Sequence, residues 1–353
     1  MNNLQKNAVY SLVLIVVFAS VYLYRQSQSP SKPSKNTEAE KKEVFIEGTT
    51  FGVVTYHIKY LDEKQQNYKK EIDSILQDFN QAFSTYIPDS EISQFNQSDS
   101  LVFQSPLWYR VLAKGKEVYE ASEGAFDPTL APIIEVWGFG VGKIEKIPDQ
   151  KTVDSLKKFV GMDKINFDKK ILRKDMPQMS LNFNAINQGY AVDVVSEFLQ
   201  SKGIENYLVE IGREMAAKGK NAEGKSWLIG IVNPKYKEPG QDPMGGKVRL
   251  EDRALSTSGN YESFYVKNGK KYAHIIDPKT GYPVEHSLLS ASVFAPDCIT
   301  ADAFATAFMV LGKDKTLEIV AKNKNLDVFL IYSDEKGNLQ KFASEGIKDY
   351  FEK

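Results

Sequence analysis

A run of seventeen uncharged residues, Ala8–Tyr24, lies close to the start of the chain. We expect the folded domain to consist of residues that come after it. The length of the run is near the lower limit for a helix that crosses a membrane. Residues 25–43 are rich in Ser, Pro, Lys and Glu, and they offer too few apolar side chains to form a core. We therefore predict an N-terminal stretch (1–7), a membrane anchor or signal segment (8–24), a flexible linker (25–43) and one folded domain (44–353).

The apolar run lacks two processing signals. No clear small-x-small cleavage site comes after it, and no cysteine stands where a lipid could be attached. This favours an uncleaved signal anchor, with a cleaved signal peptide as the alternative. Lysine and arginine are few on both sides of the run, so the charge distribution does not fix its orientation.

The charge and cysteine content of the 353-residue chain disfavour several classes of protein. Charged residues make up 26% of the chain and the formal net charge is −1, so there is no basic excess of the kind that binds nucleic acid. Cys298 is the only cysteine, which rules out a disulfide within the chain and a cysteine zinc site, and we expect it to be a core thiol. The sequence has no Walker phosphate loop, no Gly-x-Gly-x-x-Gly fingerprint and no His-Glu-x-x-His motif, which disfavours ordinary nucleotide hydrolases, Rossmann dehydrogenases and zincins.

Helical periodicity and hairpin signals alternate irregularly along the folded body. Apolar residues at three- and four-residue spacing predict helices, for example at 72–83 and 189–200. Asn268-Gly269 between two strand-like runs is the strongest hairpin signal. We also predict a strand at Met179–Phe183 and a hydroxyl-rich loop at Ser256–Gly259. Because strict strand–helix–strand alternation is absent, we predict an α+β fold with largely antiparallel sheets and packed helices.

Asp302 and Thr306 form the first candidate site. They are four residues apart in a helical pattern, so their side chains share one helix face, and we expect Thr300 to cap that helix and Gly312 to end it. A carboxylate and a hydroxyl are hard oxygen ligands that suit Mg²⁺ better than zinc. The alternative is an ordinary solvated helix face.

His274 and Asp277 form the second candidate site. The unperturbed pKa of a histidine lies near operating pH, so His274 is a candidate general base, and the alternative is a hydrogen-bonded structural histidine. Asp277 could orient the ring, or its carboxylate could belong to the Asp-Pro-Lys-Thr-Gly turn alone. Together the two sites suggest chemistry on a phosphate-bearing substrate with a bound Mg²⁺.

Four other segments are weaker candidates for contact with a bound ligand. The strand–helix junction Leu181–Tyr190 can present backbone groups to a cation or a phosphate. The hydroxyls of Ser256–Gly259 can bond a phosphate. Ser84–Asn96 carries an aromatic residue, Tyr86, that could stack on a flat ring. Gly124–Pro128 is a turn-like segment that also carries an aromatic residue. Each pattern is also compatible with an ordinary turn or helix start.

The order of these motifs resembles that of the FAD:protein FMN transferase family, the ApbE-like flavin transferases. The resemblance covers roughly residues 44–353 and rests on the segments EGTTFGV, STYIPDSEISQFN, GAFDPTLAPIIEVWGFG, LNFNAINQGYAVD, YLVEIGREMAAKG, STSGNY, YAHIIDPKTGYPV and TADAFATAFMVLG. It implies an exported α+β protein with a tunnelling-fold-like body. Such a protein binds FAD with Mg²⁺, cleaves the pyrophosphate and attaches FMN to a threonine of a target protein, releasing AMP.

The resemblance also implies partners and a location. The acceptors would be threonine-bearing subunits of membrane respiratory complexes. A single-pass anchor would hold the catalytic domain on the periplasmic side of the cell inner membrane, with residues 1–7 in the cytoplasm. Two alternatives stay open: an FAD pyrophosphatase that uses water and yields FMN and AMP, and a non-catalytic flavin-binding protein at the membrane surface.

Carried over residue by residue, the resemblance implies a catalytic base, a metal site and a cofactor-binding wall. His274 matches the family's proposed base, with Asp277 beside it. The metal ligands would be Asp302, Thr306 and the backbone carbonyl of Ala185. The FAD-contacting positions would be Tyr86, Ala125, Phe126, Asp127, Asn182, Gln188, Ser258 and Ile276.

The chain departs from the family pattern at four positions. Glu47 stands where a Met is common, Asn182 replaces a frequent Asp, and Gln188 replaces a frequent Lys or Glu. We expect the loss of a charge at 182 or 188 to alter the affinity for FAD or metal. Arg213 replaces the second of two glycines, where it could crowd the backbone or pair with a phosphate.

Overall fold

An eight-stranded antiparallel sheet organises the folded part of the chain. The structure is a computed structural model that describes residues 41–142, 146–235, 243–261, 263–267 and 269–352. Its strands are β1 (Lys42–Thr50), β2 (Val54–Asp62), β3 (Ser100–Val102), β4 (Ile165–Phe167), β5 (Ile171–Lys174), β6 (Tyr207–Ile211), β7 (Glu214–Lys218), β8 (Trp227–Val232), β9 (Met244–Leu250), β10 (Arg253–Gly259), β11 (Phe264–Lys267), β12 (Lys270–Ala273), β13 (Ile276–Asp277), β14 (Tyr282–Pro283), β15 (Leu288–Ala295), β16 (Asp327–Ser333) and β17 (Leu339–Ala343). The large sheet has the order β1-β2-β6-β7-β10-β15-β16-β17.

The remaining strands form small sheets, and the described residues also form seven α-helices. β3, β4 and β5 form a three-stranded sheet, while β8–β9, β11–β12 and β13–β14 are two-stranded. The α-helices among the described residues are α1 (Lys69–Phe83), α2 (Glu91–Asn96), α3 (Trp108–Ala121), α4 (Ala131–Val136), α5 (Gln150–Lys157), α6 (Asn187–Ser201) and α7 (Cys298–Lys322). Short 3₁₀ helices lie at Pro128–Leu130, Met162–Lys164 and Glu345–Tyr350.

The two faces of the large sheet bury different sets of side chains. Helices α6 and α7 pack on one face, against β6, β7, β10 and β15. The β8–β9 hairpin and the last 3₁₀ helix cover part of the other face, where Phe294 and Phe329 are buried. Because successive side chains of a strand point to opposite faces, the neighbouring Val293 and Val328 belong to the helix-facing core instead. The predicted α+β class with antiparallel sheets is confirmed.

Helix α7 begins and bends at residues that position the site. Asp297, not Thr300, is its N-cap, and the Asp297 side chain accepts a hydrogen bond from the backbone N–H of Thr300. A second acid, Asp193 of α6, accepts from the N–H groups of Cys298 and Ile299 at 2.8 and 2.9 Å. These bonds satisfy donors that have no partner within the helix.

Gly312 interrupts α7 rather than ending it. The residue has φ +74° and ψ 179°, and the helix continues beyond it to Lys322. The predicted end at Gly312 is therefore a kink, and only the first segment of α7 carries the candidate metal residues.

Two predicted elements differ from the structure. Met179, Leu181 and Phe183 are buried, but Met179–Phe183 is not a strand, because the backbone N–H and C=O of Leu181 bond to the side chain of Asn96 at 2.8 and 2.9 Å. Ser256–Gly259 is not a loop, because it forms the end of β10 between β7 and β15. Cys298 is fully buried, as predicted.

The predictions for the N-terminal segments fall almost entirely outside the described residues, which begin at Lys41. Strand β1 starts at Lys42, two residues before the expected start of the domain. Within the described part of the chain, no helix is both long and apolar enough to cross a membrane. Asn268 of the predicted hairpin turn lies outside the described residues, and its two strands, β11 and β12, pair as expected.

Candidate functional site

A cavity of about 560 Å³ lies where helices α6 and α7 meet the ends of β7 and β10. Residues from the loops before α6 and after α3 complete one wall, and the segment after β12 completes another. The cavity brings together most of the residues singled out in the sequence, namely Ala125, Phe126, Asp127, Asn182, Ala185, Gln188, Ser258, His274, Ile276, Asp302 and Thr306.

Asp302 and Thr306 lie one turn apart on α7, both at the cavity wall. Asp302 is 5% exposed, and its Oδ2 accepts a hydrogen bond from the backbone N–H of Gly189 at 2.9 Å. The hydroxyl oxygens of Thr306 and Ser258 are 3.3 Å apart. The carboxylate and the hydroxyl are therefore held by neighbouring elements.

Gly189 allows α6 and α7 to approach closely at this point. A Cβ at residue 189 would lie 2.3 Å from the carbonyl oxygen of Cys298 and 2.6 Å from the Cβ of Asp302. No ordinary side chain fits at these distances, so the position of Asp302 depends on a glycine that faces it.

Glu214, at the start of β7, is a second buried acid beside Asp302. The hydroxyl of Ser256 lies 3.2 Å from Oε1 of Glu214 and 3.3 Å from Oδ1 of Asp302. Burial raises the pKa of Asp302. Burial, and then the neighbouring charge of Asp302, raises the pKa of Glu214. The two carboxyls thus form one buried acidic pair bridged by a hydroxyl.

The donors at this wall fit a hard divalent cation. The described residues contain no cluster of three or more His, Cys, Asp or Glu side chains that could hold a metal. Thr306 and Ala185 line the same cavity as Asp302, so a hydroxyl and a backbone carbonyl can join the Asp302 carboxylate around a cation. All-oxygen sets of this kind suit Mg²⁺.

His274 lies at the exposed edge of the same cavity. Its Nδ1 is 3.0 Å from the carbonyl oxygen of Ser263, and its backbone N–H donates to that oxygen at the same distance. A carbonyl can only accept, so the neutral ring carries its proton on Nδ1 and leaves the Nε2 lone pair available. Desolvation by the surrounding residues lowers the pKa of His274 below that of an ordinary histidine, although the residue as a whole is exposed.

Asp277 and Tyr86 do not line the cavity. The carboxylate of Asp277 accepts from the backbone N–H of Lys279 at 2.8 Å, and its carbonyl accepts from Gly281, so it shapes the turn. The group on the His274 ring is the Ser263 carbonyl rather than Asp277. Tyr86 is 60% exposed after α1, away from the cavity wall.

The loop after α3 and the segment before α6 are joined at the cavity. Asp127 caps the first 3₁₀ helix by accepting from the N–H and hydroxyl of Thr129 at 2.8 and 2.6 Å, and burial raises the pKa of Asp127 to about 6. The N–H of Asn182 donates to the carbonyl of Pro128 at 2.8 Å, and its side-chain oxygen accepts from Asn184. This wall is therefore held by hydrogen bonds between its own backbone and side chains.

Glu214 was not identified from the sequence as a site residue. It comes after Gly212-Arg213 in a segment that otherwise alternates like an ordinary strand, so only its charge at a buried position could have marked it. Its link to Asp302 depends on β7 and β10 being neighbours in the sheet, which no local pattern reveals.

Comparisons with known proteins give the same assignment over most of the chain. The sequence model of the ApbE family matches residues 48–330. An FAD:protein FMN transferase of Haemophilus influenzae is 40% identical over 320 residues, which cover 87% of this chain and 91% of that protein. A protein of the same name from Escherichia coli K12 is 32% identical over 349 residues, covering 96% and 97%.

Solved structures agree with the sequence matches. The flavin transferase ApbE from Vibrio cholerae has a TM-score of 0.78 at 33% identity, covering 88% of this chain and 99% of that one. The apo form of the Pseudomonas stutzeri flavinyl transferase ApbE also has a TM-score of 0.78, at 30% identity, covering 88% of this chain and 97% of that one. These matches define the class as an α+β transferase. The chain belongs to the ApbE family of FAD:protein FMN transferases, so the family, fold class and enzyme class predicted from the sequence are confirmed.

Proposed function

We propose that the protein uses Mg²⁺ to transfer FMN from FAD to a threonine side chain of a target protein, with release of AMP. The family makes the chain a transferase that moves flavin from FAD to protein. The metal, the acceptor residue and the roles of individual side chains are the proposal. The observation that carries it is that His274, Asp302 and Thr306 line one cavity.

Three oxygen donors would hold the Mg²⁺: the carboxylate of Asp302, the hydroxyl of Thr306 and the backbone carbonyl of Ala185. Their support is the shared cavity and the preference of Mg²⁺ for oxygen. When bound, the ion would neutralise negative charge on the diphosphate of FAD. Ser258 and Gly189 orient the Thr306 hydroxyl and the Asp302 carboxylate through the contacts described above.

His274 would act as the general base toward the acceptor. Its lowered pKa keeps the ring neutral at neutral pH, and the bond from Nδ1 to Ser263 leaves Nε2 as the basic atom. The threonine oxygen would attack the phosphorus of the FMN half, and Nε2 would take the hydroxyl proton. The bond from that phosphorus to the bridging oxygen would break, and AMP would leave with the electron pair. Water in place of threonine would give FMN and AMP instead.

We further propose that the acceptors are subunits of membrane respiratory complexes and that an N-terminal anchor holds the domain on the periplasmic side of the inner membrane. The support is the uncharged run Ala8–Tyr24 and the polar linker after it. Protease accessibility in spheroplasts tests the location. A full chain that stays protected in spheroplasts and becomes sensitive only after lysis would contradict it.

The transfer itself can be tested with the purified full chain, FAD and a threonine-bearing flavoprotein domain as acceptor. The matched control is the same domain with that threonine replaced by valine. We expect flavin fluorescence on the acceptor in a denaturing gel, abolished by EDTA and absent from the valine control. Free FMN and AMP without a fluorescent band would favour the pyrophosphatase, and bound, intact FAD would favour the binding protein.

A further inference from the structure

Arg213 lies at the tip of the β6–β7 hairpin, on the cavity wall. Ile211 pairs with Glu214, so Gly212 and Arg213 are the two central residues of the turn. Gly212 has φ +68°, and a Cβ there would lie 2.4 Å from Oε1 of Gln188, so the first position requires glycine. Arg213 is not in the left-handed region, and the turn therefore accepts other side chains at this position.

Arg213 brings a positive charge to a cavity wall that otherwise carries acidic side chains. Asp127, Glu214 and Asp302 contribute carboxyl groups to the wall. Among the described residues that line the cavity, Arg213 is the only lysine or arginine. A dianionic diphosphate that enters an acidic wall needs compensating positive charge, because an unpaired charge is costly to desolvate.

Tyr261 holds the guanidinium group. Nη1 of Arg213 donates to the hydroxyl of Tyr261 at 3.3 Å, and the guanidinium carbon lies 5.8 Å from the centre of the Tyr261 ring. A planar guanidinium carries five donors in a rigid fork, and this fork matches the oxygens of a phosphate in a bidentate geometry. The side chain is thus oriented at the wall before a ligand arrives.

We infer that Arg213 is a binding residue for the diphosphate of FAD. The inference rests on the proposed function, since FAD is the phosphate-bearing substrate there. Arg213 adjoins Glu214, which Ser256 links to Asp302, so the arginine and the predicted metal ligands belong to one wall. The guanidinium supplies part of the charge compensation without a metal, so we expect this chain to bind FAD in the presence of EDTA.

Equilibrium binding of FAD to the full chain, in EDTA and followed by flavin fluorescence, tests this role. The variants are Arg213→Gln and Arg213→Lys, and the control is Arg173→Gln, which removes an exposed arginine on β5. Riboflavin serves as the ligand without phosphate, and competition by FMN and by AMP shows which phosphate is contacted. Thermal unfolding of each variant shows that the turn still folds.

We expect Arg213→Gln to weaken FAD binding by about 10- to 100-fold, the size of a lost charge-assisted contact, and to leave riboflavin binding unchanged. Arg213→Lys should retain part of the affinity, and the dependence of FAD binding on salt should become shallower in Arg213→Gln. Unchanged FAD affinity, or an equal loss for riboflavin, would overturn the inference. Wild-type protein that binds FAD through Arg213 but transfers no FMN would refute the proposed function alone. Wild-type protein that binds FAD with Mg²⁺ but not in EDTA would overturn the inference alone, and wild-type protein that binds no FAD under either condition would overturn both.

Discussion

Replacement of Gly189 by alanine tests how tightly the fold fixes the candidate metal ligand. A Cβ at this position would lie 2.3 Å from the carbonyl oxygen of Cys298, while real Cβ atoms essentially never come within 3.0 Å of such a neighbour. Helix α6 or α7 would have to move by more than half an ångström. Because Asp302 accepts the N–H of Gly189, that movement would also lengthen the bond that orients the carboxylate.

The expected loss of stability combines three effects. Overpacking a core costs about 1–3 kcal/mol, and weakening a hydrogen bond to a charged group costs about 1.5–3 kcal/mol. The higher helix propensity of alanine returns at most about 1 kcal/mol. We therefore expect Gly189→Ala to lower the free energy of unfolding by about 2–4 kcal/mol, which for a domain of this size corresponds to a fall in Tm of roughly 3–6 °C.

Gly115→Ala is the matched control. Gly115 lies within helix α3, where a new Cβ would meet Pro128 at 3.4 Å and Phe126 at 3.9 Å, both ordinary contacts. This variant should be as stable as the wild type or about 0.5–1 kcal/mol more stable. Thermal unfolding of the full chain and the Mg²⁺ concentration needed for half-maximal FMN transfer are measured for both variants. A Gly189→Ala protein with unchanged Tm and unchanged Mg²⁺ requirement would refute the close-approach argument.

Three further predictions concern individual side chains. Asp302→Asn should still accept the Gly189 N–H but should reduce Mg²⁺-dependent FMN transfer by at least about 100-fold in a fluorescent-gel assay. His274→Gln should slow transfer while FAD binding persists. Because desolvation lowers the pKa of His274, the wild-type rate at saturating Mg²⁺, which keeps Asp302 ionised, should stay constant as pH falls toward about 6.5 and decline only below it. Asp193→Asn should lower the free energy of unfolding by about 1–3 kcal/mol in urea, because one amide oxygen cannot replace both carboxylate oxygens that accept from Cys298 and Ile299.

Different results would count against each of these assignments. Normal transfer by Asp302→Asn at limiting Mg²⁺ would remove Asp302 from the metal site. A rate that already falls above pH 6.5 at saturating Mg²⁺, or a His274→Gln variant with wild-type turnover, would remove His274 as the base. An Asp193→Asn variant as stable as the wild type would show that the two N–H groups find other partners, and the exposed Asp154→Asn provides the control for a lost charge.

Local sequence patterns predicted the helices better than the strands. The periodicity of α1 reflects one buried face, and the structure buries Ile72, Leu76 and Phe79 accordingly. Helix α6 is buried on most of its sides, including five consecutive residues from Gly189 to Asp193. Strand β10 reads RALSTSG, and its small polar residues have no strand-like alternation of their own. It becomes a strand because β7 and β15 flank it and α7 covers it, which is a tertiary effect.

The residues of the candidate site also differ in how far the sequence alone could predict their contacts. Asp302 and Thr306 could be paired from the sequence because helical spacing alone puts them on one face. The orientation of His274 could not, because Ser263 reaches it through the pairing of β11 with β12, whereas Asp277, although only three residues away, is committed to its own turn. The closeness of Asp277 to His274 in the sequence therefore does not correspond to a contact between the two side chains. The Ser263 backbone carbonyl contacts the ring instead, and a sequence pattern cannot reveal a backbone contact of this kind.

The acidic pair of Glu214 and Asp302 shows why the metal proposal needs the whole fold and not only its ligands. The hydroxyl of Ser256 has a single hydrogen, so it can donate to only one of the two carboxyls it contacts. With both carboxyls ionised, the other contact would set a hydroxyl oxygen against a carboxylate oxygen in a buried region, with no donor between them. Either a proton on the pair or a cation beside Asp302 must compensate that arrangement. A wall that buries two acids around one hydroxyl thus holds a proton when no cation is bound, and a divalent cation and Arg213 would together supply the positive charge that replaces it when the diphosphate of FAD enters.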